Sequence, residues 1–142
     1  MGKMGKISLE STAKAGARLR TAGLRPTRQR VELAGLLFQD CDRHVTAEGL
    51  HDEVTRAGLK VSLATVYNTL HQFTQAGLLR QVVVDSARGY FDTNTGEHQH
   101  FFLEDEGTLI DIADPIAVSG VPAPPPGLAV DRVDVVVRVR RH

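Results

Sequence analysis

Ser62-Leu63-Ala64-Thr65-Val66-Tyr67-Asn68-Thr69-Leu70 runs on to Gly77, and two apolar stretches follow at once, Leu79 to Val84 and Gly89 to Asp92. Ser62 is a helix-capping residue and Gly77 a helix stop. Between them Leu63, Val66, Leu70 and Phe73 recur at three- and four-residue steps, which predicts one helix with one buried face. The other face carries Thr65, Asn68, His71, Gln72 and Gln75, with Tyr67 beside them. That surface is polar, uncharged and rich in hydrogen-bonding groups, so it can lie against base edges without a charge penalty. After Gly77 the period changes to that of strands, and Asp85-Ser86-Ala87-Arg88-Gly89 supplies turn chemistry for a hairpin. A capped helix followed directly by a hairpin is the order of a winged helix. The helix over 62–76 is then the recognition helix, and the hairpin, with Arg88 at its tip, the wing.

Upstream, three further helices are expected. Ser11 to Ala22 reads as a basic, weakly amphipathic helix with Ala13, Ala17 and Leu19 on its apolar side, stopped by Gly23. Thr27 caps a second helix reaching about Gln39, with Val31, Ala34, Leu37 and Phe38 inward and Arg28 and Arg30 in its early turns. Asp40 to His44 is a polar connector. Thr46 caps a third helix whose stripe is Ala47, Leu50, Val54 and Ala57, closed by Gly58.

Downstream lies Tyr90-Phe91-Asp92-Thr93-Asn94-Thr95-Gly96-Glu97-His98-Gln99-His100. His98 and His100 are two apart, so on a strand both imidazoles face the same way. Asp92 precedes them across a Thr-Asn-Thr-Gly turn, Asp111 falls on the next expected strand, and His44 sits in the connector before the third helix. Three imidazoles and two carboxylates make a nitrogen- and oxygen-rich set suited to Fe(II), Mn(II) or Zn(II). By itself a His-x-His pair is as compatible with two solvated or hydrogen-bonded histidines. Strands are expected over His98–Leu103, Thr108–Ile112 and Val133–Val139, one or two helical turns over 113–120, and an extended Pro-rich connector over 121–127. So few elements make a poor core for about fifty residues, which motivates pairing with a second copy.

Composition agrees with two unlike halves. The formal charge is zero, yet residues 1–80 hold 12 Lys/Arg against 7 Asp/Glu, and residues 81–142 hold 5 against 10. A net of +5 followed by −5 fits a first half that meets a polyanion, or a chance imbalance of solvated faces. No apolar run approaches the ~20 residues of a membrane span, and the N-terminus has no apolar leader segment. A cytoplasmic location is expected. The single cysteine, Cys41, excludes an intramolecular disulfide and a Cys-rich zinc site.

These motifs, in this order, resemble the ferric uptake regulator (Fur) family: Asp42-Arg43-His44-Val45-Thr46-Ala47-Glu48, then Val61 to Leu70, Phe91-Asp92, His98-Gln99-His100 and Leu109-Ile110-Asp111. The resemblance covers the chain from about residue 15 onward. Within the family the chain is most similar to the iron response regulator (Irr) branch, through Tyr67-Asn68-Thr69-Leu70, Phe91-Asp92-Thr93-Asn94-Thr95 and the Val133-Asp134-Val135-Val136-Val137-Arg138 ending. It implies an α+β fold: a winged-helix DNA-binding domain (1–92), a hinge (93–97) and a small α/β dimerisation and metal-sensing domain (98–142). It implies a cytoplasmic, homodimeric transcription regulator rather than an enzyme, acting on an AT-rich double-stranded operator. It places the regulatory metal on His44, Asp92, His98, His100 and Asp111, as Fe(II) or Mn(II) in function, with Zn(II) possible in purified protein. Thr65 and Tyr67 fall at recognition-helix contacts. Ser62, Asn68, Arg88, Arg18, Arg20 and Arg28 complete the expected DNA-binding set.

Departures from the family pattern qualify these expectations. Leu103 and Glu106 stand where many members have a structural-zinc cysteine pair, so no four-cysteine zinc site is expected. Gln99 interrupts a His-His-His triplet associated with haem in the Irr branch, which weakens a haem role. The two aspartates match the peroxide-sensing (PerR-like) branch, an alternative. A small His/Asp metallo-enzyme is the rival from another class.

Overall fold

The computed structural model describes residues 9–39, 41–86 and 89–142. They divide into two compact units, with the boundary between Thr95 and Gly96. The first unit contains α1 (Leu9–Thr21), α2 (Arg28–Leu37), β1 (His44–Val45), α3 (Ala47–Arg56), α4 (Leu63–Gln75), β2 (Arg80–Val83) and β3 (Gly89–Asp92). The second contains β4 (Gln99–Leu103), β5 (Thr108–Ile112) and β6 (Val136–Val139).

Local chemistry sets the helix ends. The side chains of Thr27, Thr46 and Ser62 accept the N–H of Arg30, Gly49 and Thr65 respectively, each replacing a bond that the first helical turn cannot make internally. At the other end of α4, Gly77 adopts φ 82°, the left-handed region that glycine enters without a Cβ penalty. The Leu78 N–H then reaches the Phe73 carbonyl at 2.9 Å and the Gly77 N–H reaches Thr74 at 3.1 Å. The same pair of bonds closes α1 at Gly23-Leu24 and α3 at Gly58-Leu59. In all three motifs the leucine after the glycine folds back onto the core.

That core is built from Leu19, Leu33, Ala34, Leu37, Leu50, Val54, Val66, Leu70 and Phe73, joined by Val45 and Phe91 from the sheet. Each fully buried Leu, Val or Phe is worth about 1.5–3 kcal/mol relative to exposure. The inward face of α1 is Ala15, Gly16 and Leu19; the expected Ala13 and Ala17 face outward. The small Ala15 and Gly16 suit close packing on α2, where Ala34 and Gly35 are also buried. On α4, Leu63 is 39% exposed, and Thr69 takes an inward position instead. Leu63 is the first residue of the helix, ahead of the turn that faces the core.

The first sheet has the order β1-β3-β2, all antiparallel. The hairpin β2–β3 lies where the sequence pattern places it, whereas the two-residue β1 falls in what reads as a plain polar connector. Its register is held by Arg43 and Thr93: the Arg43 N–H donates to the Thr93 hydroxyl at 2.9 Å, and the Thr93 N–H to the Arg43 carbonyl at 3.1 Å. The Arg43 guanidinium pairs with Glu53 of α3 and donates to the Leu36 carbonyl at 3.3 Å, tying the connector to two helices.

In the second unit the order is β5-β4-β6, with β4–β5 antiparallel and β4–β6 parallel. Residues 113–120 carry no helix, contrary to the sequence expectation; Pro115 disfavours a helical Asp114 and Gly120 takes positive φ. The final strand is shorter than its valine alternation suggests, starting at Val136, because Val133 to Val135 precede the pairing with β4. The acidic turn after β4 holds this strand: Arg138 meets Glu104 at 3.1 Å, Arg141 pairs with Glu106, and the Arg141 N–H donates to Asp105 at 3.0 Å. Among the described residues, no helix is long and apolar enough to cross a membrane.

Candidate metal centre and nucleic-acid surface

The expected metal ligands fall into two groups, one in each unit. In the first, strand register sets His44 directly opposite Asp92. Residues directly opposite in an antiparallel pair share a sheet face, and the His44 Nε2 lies 3.2 Å from Asp92 Oδ2. The other carboxylate oxygen accepts the Asn94 N–H at 2.9 Å, a turn that fixes the rotamer. Asp92 is wholly buried. A buried carboxylate must be compensated by hydrogen bonds or positive charge.

In the second unit His98 immediately precedes β4 and His100 lies on it, their ring centroids 4.5 Å apart. Asp111 on β5 is the register partner of His100. Its Oδ1 lies 3.3 Å from both the His98 Nε2 and the His100 Nε2. The His98 Nδ1 lies 2.7 Å from the Gly96 carbonyl, which can only accept, so Nδ1 carries the proton. The His98 Nε2 faces the Asp111 carboxylate, an arrangement that suits either a hydrogen bond or a shared metal ion. Within each group the ligand atoms lie within 4.8 Å of one another. The donor chemistry fits a divalent first-row ion, with one imidazole oriented by a backbone carbonyl.

Gln99, between the two histidines, has another task. Its Oε1 accepts the Val135 N–H at 2.8 Å and so aligns the chain entering β6.

Of the expected DNA-contacting residues, Tyr67 is 45% exposed and Asn68 is exposed, while Thr65 is half-buried. The Ser62 hydroxyl is engaged at the helix start, bonding the Thr65 N–H at 3.1 Å and its hydroxyl at 3.0 Å. Arg20 is exposed; Arg28 is largely exposed and 3.4 Å from Glu32. Arg18 stacks its guanidinium 4.5 Å over the Phe38 ring. Arg88 lies outside the described residues.

Two residues take roles that the sequence pattern did not assign to them. Arg30 forks onto the Gln72 side chain of α4, through Nε at 3.3 Å and a terminal nitrogen at 3.1 Å, and also donates to the Arg25 carbonyl at 3.0 Å. Arg80, 9% exposed, is the partner of Asp92 on the side opposite His44. Neither has a local sequence signal, since both depend on which elements become neighbours.

A capped helical unit with an antiparallel wing, followed by a small sheet bearing clustered histidines, defines an α+β protein with a winged-helix DNA-binding domain and a small dimerisation domain. The sequence profile of the ferric uptake regulator family matches residues 21–119. The chain belongs to that family, which makes it a metal-responsive transcription regulator and not an enzyme. It is 37% identical over 97 residues to the ferric uptake regulation protein of Pseudomonas aeruginosa, covering 68% of this chain and 72% of the relative. The corresponding protein of Bordetella parapertussis is 32% identical over 98 residues, covering 68% and 70%. Among solved structures, the Pseudomonas aeruginosa ferric uptake regulator with manganese superposes with a TM-score of 0.68 at 29% identity, covering 89% of this chain and 97% of that one. The Vibrio cholerae ferric uptake regulator gives 0.69 at 22% identity, over 89% and 98%, a likeness of fold.

Proposed function

We propose that the chain is a homodimeric, cytoplasmic, Irr-like regulator that binds an AT-rich operator under control of one divalent ion per subunit, governing iron, haem or manganese homeostasis genes. His44, Asp92, His98, His100 and Asp111 would hold the ion, Fe(II) or Mn(II) in the cell and possible as Zn(II) after purification. The observation that carries this reading is the convergence of the His98 and His100 Nε2 atoms on Asp111, with the His98 Nδ1 turned to the Gly96 carbonyl at 2.7 Å. The His44–Asp92 pair of the first unit would supply the remaining donors.

Bound, the ion would supply a cross-link between the two sets of ligands. The remaining work belongs to the chain. Residues 93–97 act as the hinge, Asn94 and Thr93 hold Asp92 and His44 in register, and α4 presents Thr65, Tyr67 and Asn68 to the major groove. Arg18, Arg20, Arg28 and Arg88 meet phosphates. Apolar side chains in the second unit support dimerisation: Ile110, Val118, Val121 and Val133 are 39–48% exposed in a unit too small to bury them alone. An ion shifts the equilibrium only by its preference for one hinge state, and coupling of about 1–3 kcal/mol, 5- to 150-fold in affinity, is usual.

Operator binding titrated against Mn(II), Fe(II), Zn(II) and haem, with metal content measured on the same samples, tests the proposal. Affinity that changes at least about fivefold with one ion supports it; affinity indifferent to every addition rejects it. The matched pair of aspartates favours a second, peroxide-sensing reading. Under that reading, hydrogen peroxide would oxidise a histidine of the Fe(II)-loaded protein, one peroxide oxygen entering the ring and the other leaving as water, and would leave the Mn(II)-loaded protein unchanged.

A further inference from the structure

Asp92 is the most enclosed charged group among the described residues, with none of its surface exposed, and it occupies the middle strand of its sheet. On one side its register partner is His44; on the other it is Arg80. Directly opposite residues in an antiparallel pair project to the same face with Cβ atoms about 4.5–5.5 Å apart. The rule is visibly obeyed on the His44 side, where the two side chains approach to 3.2 Å. By the same rule Arg80 stands beside the Asp92 carboxylate, and it is itself 9% exposed. A guanidinium is permanently charged and tolerates burial only with negative charge or acceptors nearby. A buried cation has therefore been placed next to a carboxylate assigned above to a metal ion.

We infer that Arg80 is the built-in counter-cation of Asp92: it compensates the carboxylate when no ion is bound and competes with the ion for it. The inference rests on the metal-responsive reading above. It assigns Arg80 a tuning role with no need for ligation. The guanidinium lowers affinity for a divalent ion by charge repulsion and keeps the empty site folded, so ion binding exchanges one counter-cation for another. Its effect is confined to cation affinity and to the empty state. A purely structural arginine would support empty and loaded protein alike.

Full-length protein stripped of metal, and the same protein with Mn(II), is compared for wild type, Arg80→Gln, Arg80→Lys, Asp92→Asn and the double variant Arg80→Gln/Asp92→Asn. Arg80→Gln should lower the melting temperature of the stripped protein and should gain more from Mn(II) than wild type does. Its Mn(II) affinity should rise about tenfold or more, since like charges at this spacing repel strongly even at an effective dielectric constant of about 20. Arg80→Lys should stay close to wild type. The double variant should melt above the sum of the two single losses, because neither charge is left alone. Equal losses in stripped and loaded Arg80→Gln with unchanged Mn(II) affinity overturn the inference, as does strict additivity in the double variant. Wild-type protein that takes up no Mn(II) overturns the metal reading itself, and the inference with it. Additivity alone leaves the metal reading standing.

Discussion

Arg30 is expected to hold the recognition helix in place rather than to touch DNA, and Arg30→Met separates the two roles. The guanidinium binds the Gln72 oxygen through two nitrogens at 3.1 and 3.3 Å and the Arg25 carbonyl at 3.0 Å. Charge-assisted hydrogen bonds are each worth about 1.5–3 kcal/mol on truncation. Methionine keeps the apolar stem, and the half-buried Gln72 and nearby Arg25 regain water in place of the lost bonds, so the net loss falls well below their sum, at about 1–2 kcal/mol in all. At roughly 4–8 °C per kcal/mol for a domain of this size, melting should fall by roughly 5–15 °C. Operator affinity should weaken because α4 is less firmly seated, while its salt dependence stays the same. A phosphate-contacting arginine would give the opposite pattern: unchanged melting and a slope of log affinity against log salt reduced by about 0.9. Thermal melts together with operator titrations at three salt concentrations decide. The second pattern refutes the assignment.

Other expectations follow from the same structure. Gly77→Ala places a Cβ in open space, with nothing within 4 Å, so the whole penalty comes from the left-handed backbone at φ 82°; about 1–2 kcal/mol should be lost in urea unfolding. Glu106→Gln removes the exposed partner of Arg141, whose guanidinium pKa is raised chiefly by its hydrogen bond to Glu106. A small loss of melting temperature at low salt should shrink near 1 M salt, where the screening length falls to about 3 Å. Thr46→Ala deletes the hydroxyl that accepts the Gly49 N–H at 3.0 Å and should cost about 1 kcal/mol, read by thermal melting with metal content unchanged.

Most of the first unit was legible because its signals are local. Thr27, Thr46 and Ser62 each mark a helix start, Gly23, Gly58 and Gly77 each mark an end, and the leucine after each glycine completes the motif. The inward face of α1 was misjudged because alanines and glycine give almost no periodic contrast; only packing against α2 selects Ala15 and Gly16 over Ala13 and Ala17. Strand β1 was missed because two residues carry no period, and its pairing depends on Arg43 meeting Thr93 about fifty positions away. The helical turns expected over 113–120 had apolar residues in their favour but were opposed by Pro115. As for the candidate centre, the residue types were readable in sequence, while the approach of both His98 and His100 to Asp111 depends on the pairing of β4 with β5. Arg80 was not readable, since its significance lies wholly in being opposite Asp92.

The central claim is that donors from both units serve one ion. Isothermal titration of metal-free protein with Mn(II) tests it most directly, run on wild type, His44→Ala and the His98→Ala/His100→Ala variant. The account expects one high-affinity ion per subunit in wild type, and loss of that same ion, by at least about a hundredfold in affinity, in both variants. A variant on either side that still binds one ion with wild-type affinity would contradict it.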